Sequence, residues 1–148
     1  PRGLRRPAAR GRAGGLGRVS TYLLDTHVFL WLLSEPERLS GSTLETLADA
    51  EHVLLVSAVS GMEIATKTRL GKLDGLPVVT AWRHAVASVG ARELPISGEH
   101  AVLAGSMRWE HRDPFDRLLV AQATLEPATL VTRDAVIVDH ERVAVLHA

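Results

Sequence analysis

Four acidic residues of this 148-residue chain stand where a fold could gather them: Asp25, Glu63, Asp116 and Asp134. Asp25 closes the apolar run Thr21-Tyr22-Leu23-Leu24, and Glu63 follows the run Val53-Leu54-Leu55-Val56 by about two helical turns. Asp116 comes just after Asp113-Pro114, and Asp134 ends Val131-Thr132-Arg133-Asp134. Carboxylates a few Å apart repel one another, and burying them unpaired raises their pKa values or costs several kcal/mol. A hard divalent cation removes the conflict. With oxygen donors and no cysteine, the donor set favours Mg²⁺ or Mn²⁺ and rules out a zinc-thiolate site. Such a cation can lower the pKa of a water and offset charge growing on a phosphate, which is the chemistry of phosphodiester hydrolysis.

Each acid also has a purely structural reading. Asp25 can cap the helix that follows it. Glu63 precedes Lys67 by four residues, the favourable order for a helix-surface ion pair worth about 0.2–0.5 kcal/mol. Asp113 is an expected N-cap with Pro114 at the first helical position, and Asp116 then falls where a capping box places its acid. Asp134 can form an Asx-turn.

The elements that must position these residues alternate. Strands are expected at Thr21–Leu24, Val53–Val56, Arg92–Ile96, Ala128–Val131 and Val143–Leu146. Helices are expected from Thr26 to Leu33, from Ser40 to about Glu51, from Ser57 to Leu70 with Gly71 closing it, and from Pro77 to Gly90. Two more run from Ser97 to about Trp109 and from Asp113-Pro114 through Leu125. Alternating strands and helices imply right-handed crossovers, a parallel sheet and helices on both faces: one three-layer α/β domain. Function in such sheets gathers at the carboxyl ends of the strands, where the four acids fall.

Seventeen basic residues balance seventeen acidic ones, which argues superficially against a nucleic-acid partner. The zero is a sum of unlike parts. Residues 1–20 carry six arginines and no acid, whereas residues 21–148 carry eleven basic and seventeen acidic residues, a net −6. Residues 1–19, rich in Arg and Gly, read as a flexible tail: either a phosphate-binding arm or a start-site extension ahead of a domain spanning 20–148. No stretch reaches the roughly 18 apolar residues of a membrane span.

Leu23-Leu24-Asp25-Thr26-His27-Val28-Phe29-Leu30-Trp31 resembles the opening motif of PIN-domain ribonucleases, specifically the VapC-type toxins of bacterial toxin–antitoxin pairs. Ser57 to Lys67, continued by Arg69 to Leu73, is similar to their second motif. His111-Arg112-Asp113-Pro114-Phe115-Asp116-Arg117-Leu118-Leu119-Val120-Ala121-Gln122-Ala123 is similar to the third, and Leu130 to Asp134 to the fourth. The four occur in the family's order over Thr21 to Ala148. Gly61 departs from the pattern, standing where such toxins often carry a bulkier residue.

The resemblance implies a PIN-like parallel-sheet fold and a Mg²⁺- or Mn²⁺-dependent endoribonuclease in the bacterial cytoplasm. It implies Asp25 and Asp116 as direct metal ligands. Glu63 and Asp134 ligate directly or through water, and Thr26 and Thr132 serve as supporting hydroxyls. It also implies a VapB-type antitoxin, an RNA substrate and a homodimer. Arg112, Arg117 and Arg133 flank the acids and are candidates to meet RNA phosphates or antitoxin carboxylates, although Arg117 reads equally as a surface ion-pair residue. His27 and His111 read as local hydrogen-bonding residues, and Trp31, Trp82 and Trp109 as core or dimer-interface residues. Aromatics at 4% give no expectation of a base-stacking platform. The alternatives are an idle RNA-binding PIN module, whose expected loss of a quartet acid is absent, and a phospho-accepting receiver domain, whose adjacent acids near the first strand are absent.

Overall fold

Leu23 and Leu24 point to opposite faces of their strand, yet both are fully buried, so the sheet must be covered on both sides. A computed structural model describes residues 19–138 and 144–148. The tail expected over residues 1–19 lies outside them apart from Val19, as does Val143 at the start of the last expected strand. Strand β1 (Thr21–Leu24) leads to α1 (Thr26–Ser34), a 3-10 turn (Pro36–Arg38), α2 (Gly41–Ala48) and β2 (Val53–Ser57). Then come α3 (Ala58–Arg69), α4 (Leu76–Thr80), α5 (Trp82–Ser88), β3 (Ala91–Leu94) and α6 (Gly98–Ser106). The chain continues through α7 (Pro114–Leu125), β4 (Thr129–Thr132), α8 (Ala135–Val138) and β5 (Val145–His147).

All four strand pairings are parallel and the order is β3-β2-β1-β4-β5. Two apolar clusters cover the two faces, as a three-layer domain requires. One joins Leu24 and Val131 to Phe29, Leu32, Leu47 and Val86; the other joins Leu23 and Leu130 to Val59, Ala104, Leu119 and Ile137. Among the described residues no helix is long and apolar enough to cross a membrane.

The departures from the sequence expectations have local causes. The single helix expected from Pro77 to Gly90 is two, broken at Ala81 (φ −121°, ψ 46°) after the β-branched run Val78-Val79-Thr80. Beyond the break Trp82 packs edge-on against Phe29 and donates from Nε1 to Glu93 Oε1 at 2.6 Å. A Cβ on Gly61 would meet the Trp82 ring at 3.3 Å, so this glycine makes room for the indole, which explains the departure from the second motif. Strand β3 stops at Leu94 because Pro95 has no N–H for the ladder. Helix α6 ends at Ser106 rather than Trp109 because Arg117 holds the next residues as a loop.

Candidate active site

The sheet order reverses between β1 and β4, since the chain leaves β1 toward β2 on one side and reaches β4 on the other. The carboxyl ends of two such strands open a crevice. Asp25 stands at the first of these ends and Thr132-Arg133-Asp134 at the second. Asp25 caps α1, its Oδ1 accepting from the Val28 N–H at 2.8 Å. Its Oδ2 accepts from Thr132 Oγ1 at 2.5 Å, and Thr132 Oγ1 accepts in turn from the Asp134 N–H at 3.0 Å. One buried hydroxyl therefore ties the first acid to the turn that carries the fourth. Asp134 forms an Asx-turn, Oδ1 accepting from the Val136 N–H at 3.0 Å, and remains exposed.

Glu63 arrives on α3, whose first turn is capped by Ser57. The helical spacing sets Ser60 and Glu63 on one inward face, both buried. Thr26 Oγ1 donates to Glu63 Oε1 at 2.8 Å and lies 2.9 Å from Ser60 Oγ. The expected pair with Lys67 forms as well, Nζ donating to Oε2 at 2.5 Å, but with Glu63 only 7% exposed it is no surface pair. Ser60 was not singled out in the sequence; its spacing from Glu63 is the signal that points to it.

Asp113 caps α7, its Oδ1 accepting from the N–H groups of Phe115 and Asp116 at 2.9 and 3.4 Å. Asp116 does not return a bond to close a capping box. Its Oδ2 pairs instead with His111 Nε2 at 2.6 Å. One ligand atom each from His111, Asp113 and Asp116 lie within 4.8 Å of one another, so this motif holds a compact group of candidate metal ligands, two of which the sequence reading left as local structure. Arg117 donates to the carbonyls of Ala104, Met107, Trp109 and His111 at 2.6–3.0 Å. Four of its five N–H donors are spent, one on the end of α6 and three on the loop that delivers His111. That corrects the expectation of Arg117 as a phosphate-facing or surface ion-pair residue. Arg112 is exposed beside Trp109 and His111.

A cleft of about 390 Å³ joins Asp25, Glu63, Asp113, Asp116 and Asp134 to Thr26, His27, Trp31, Lys67, Leu119 and Arg133. All four acids of the expected quartet thus line one space. Burial pushes the Asp25 carboxyl above its ordinary range, against the hydrogen bonds from Thr132 and Val28, and the Glu63 charge adds to the rise. Burial pushes Asp116 up to about 6; the His111 bond opposes this, and the charges of Asp113 and Asp134 raise it further. The crowding that first suggested a cation is therefore present. Trp31, expected as a core or interface residue, also forms a wall of this cleft. Arg133 lies over it with the guanidinium carbon 4.5 Å from the ring centroid.

The family model of the PIN domain matches residues 22–145. The chain is 32% identical over 117 residues to Ribonuclease VapC22 of Mycobacterium tuberculosis, covering 78% of this chain and 88% of that one. Among solved structures, the chain resembles VapBC2 from Rickettsia felis bound to a DNA fragment from its promoter, with TM-score 0.64 and 18% identity, over 86% of this chain and 98% of that one. DNA-bound VapBC from Salmonella typhimurium gives 0.62 at 14% identity, covering 87% and 98%. FitAcB from Neisseria gonorrhoeae gives 0.56 at 20%, covering 85% and 96%. At these identities the structures speak for the fold; the family model and the VapC22 relative speak for descent, and the chain belongs to the PIN-domain family, in its VapC group.

Proposed function

We propose that this protein is a divalent-metal-dependent endoribonuclease, the toxin of a toxin–antitoxin pair, and that Asp25, Glu63, Asp116 and Asp134 form its active site. The observation that carries the reading is the convergence of these acids on one cleft at the point where the sheet order reverses. The relative named a ribonuclease supports the activity, and the neighbouring VapBC structures support a VapB-type antitoxin as partner.

The residues fit a hard cation. Buried carboxylates with raised pKa values gain most from a divalent charge, and oxygen donors suit Mg²⁺ or Mn²⁺. Asp25 and Asp116 would hold the ion, with Glu63 and Asp134 joining directly or through water. When bound, it supplies positive charge against the scissile phosphate and a lowered pKa for the attacking water. The chain's own groups do the rest. Thr132 orients Asp25, Thr26 orients Glu63, and His111 orients Asp116. A carboxylate of Glu63 or Asp134 accepts the proton of the water as it attacks phosphorus in line, while the opposite P–O bond to the leaving ribose oxygen breaks and that oxygen takes a proton from solvent. Lys67 holds the Glu63 carboxylate in place through its Nζ donation to Oε2.

The test is cleavage of single-stranded RNA in Mg²⁺, in Mn²⁺ and in EDTA, by the wild type and by Asp25→Asn. Cleavage should need the metal and vanish in the variant while its fold persists. Equal cleavage by Asp25→Asn would refute the assignment. RNA binding without cleavage by the wild type would favour the idle binding module.

A further inference from the structure

Besides its acids, the cleft carries an aromatic–cationic wall that metal chemistry does not use. Trp31, on α1, is half-buried with part of its ring on the core cluster beneath β1, and it lines the same space as Asp25, Glu63 and Asp116. The Arg133 guanidinium lies 4.5 Å from its ring centroid and that of Arg38 5.3 Å away. Arg133 is not loosely placed. Its Nε donates to the Ala148 carbonyl at 3.1 Å, and an Nη donates to the Arg38 carbonyl. Two of its five donors are thus used to fix it, and three remain. The exposed ring of His27 stands 6.0 Å from Trp31 on the cleft side.

We infer that Trp31 and Arg133 form a nucleotide-binding wall: a base of single-stranded RNA stacks beside the scissile phosphate on the Arg133 guanidinium, which the Trp31 indole backs, while the remaining Arg133 N–H donors meet a neighbouring phosphate. The inference rests on the ribonuclease reading and adds a substrate-binding site to it. A planar guanidinium backed by an indole offers a flat, cationic, weakly hydrated surface, which suits both a base and a phosphate oxygen. Its place in the chain matters as well. Arg133 lies between Thr132, which orients Asp25, and Asp134, while Trp31 is on the helix that Asp25 caps. A strand stacked there is held in fixed relation to the acids. The cleft's volume suits a single nucleotide rather than a folded duplex. An acidic peptide could also pair with Arg133, but it would make no use of the flat guanidinium plane stacked on the indole. The shared cleft therefore favours RNA over a protein partner.

The test compares wild type, Trp31→Ala, Trp31→Phe and Arg133→Met in steady-state cleavage of a random-sequence single-stranded RNA 12-mer. Mn²⁺ titration of each protein is run in parallel. Loss of the indole that holds the guanidinium plane flat for the base should raise KM about 5- to 100-fold in Trp31→Ala. Arg133→Met should rise comparably and Trp31→Phe less. The loss should fall on KM rather than kcat, and Mn²⁺ affinity should match the wild type. Inhibition by an abasic ribose-phosphate 12-mer should be weaker than by the RNA for wild type, and the gap should close in Trp31→Ala. Trp31 packs partly on the core, so Trp31→Ala also tests folding; the exposed Arg133 gives a variant that leaves the core intact. Unchanged KM in Arg133→Met, or a fall in kcat at constant KM, would overturn the inference and leave the nuclease reading standing. Weakened binding of an acidic peptide with unchanged KM would reassign the wall to a protein partner. If the wild type cleaves no RNA in either metal, the nuclease reading and this inference fall together.

Discussion

Two polar clusters lie at the carboxyl ends of this sheet, and they are built on opposite principles. At the ends of β2 and β3, Ser57 Oγ meets Gln122 Oε1 at 2.5 Å and Gln122 Nε2 donates to the Pro95 carbonyl at 3.1 Å. Beside them His100 Nδ1 accepts from the Ser97 N–H, and His100 Nε2 pairs at 2.8 Å with Glu126, whose side chain is 42% exposed. Donors and acceptors match, and the one acid reaches water. At the ends of β1 and β4, five carboxylates line a cleft with two cationic side chains, Lys67 and Arg133. Here acceptors outnumber donors, and two carboxyl groups are driven upward in pKa. A matched polar cluster fastens helices together; an unmatched one is a receptor for positive charge. The first holds α3 and α7 in place, and those helices carry Glu63 and Asp116 into the second.

The contrast can be broken in several places. The largest effect is expected from Asp25→Asn or Asp116→Asn, which should reduce RNA cleavage on the order of 10²–10⁴-fold, the worth of several kcal/mol of electrostatic stabilisation. Circular dichroism should show the fold retained. Thr132→Val removes a donor to Asp25 and an acceptor for the Asp134 N–H, as loss of an outer partner does in metal sites generally. It should lower activity or metal affinity about 10- to 100-fold, checked by cleavage rate and metal titration.

Stability should answer in opposite directions in the two clusters. Gln122→Leu leaves the Ser57 hydroxyl and Pro95 carbonyl without their partner, and denaturant titration should show a loss of about 1–3 kcal/mol with metal affinity unaltered. Asp116→Asn should instead stabilise the metal-free protein. The folded-state pKa of about 6 lies above the ordinary 3.8, so the folded form binds the proton more tightly and stability falls as pH rises from about 4 through 6. Removing the charge should restore up to about 3 kcal/mol near neutral pH and nothing below about pH 4. The smallest effect is expected from Gly61→Ala. A Cβ at 3.3 Å from the Trp82 ring needs a shift of a few tenths of an Å, and melting should register roughly 1 kcal/mol or less.

What the sequence made legible divides along the same line. Asp25, Glu63, Asp116 and Asp134 were readable because each sits at the exit of an apolar run or the start of a helix, positions that depend on local signals. The helix caps Ser40, Ser57, Ser97 and Asp113 are where their side chains predict them. The strand order was not readable, because it depends on which faces pack across the sheet. The pairings that order makes were hidden with it: Thr132 was expected as a supporting hydroxyl, but not its bond to Asp25 across 107 residues, and Ser57 with Gln122 across 65 was not foreseen. Gln122 did leave a signal, as a polar residue inside the apolar run Leu118 to Ala123. Arg117 left none, since three of its four carbonyl partners come from a loop that exists only once the arginine has bound it. Zero net charge, read at first against a nucleic-acid partner, gives way to a cleft whose excess of acids would, on the proposed function, be offset by a cation when RNA binds.

The most direct test of the central claim is a calorimetric Mn²⁺ titration of three full-length proteins side by side: wild type, Asp116→Asn and Gln122→Leu. Wild type and Gln122→Leu should bind the ion alike, while Asp116→Asn should lose binding by at least tenfold. If Asp116→Asn bound Mn²⁺ as tightly as the wild type, the acidic cleft would not be the metal site and the account would be wrong.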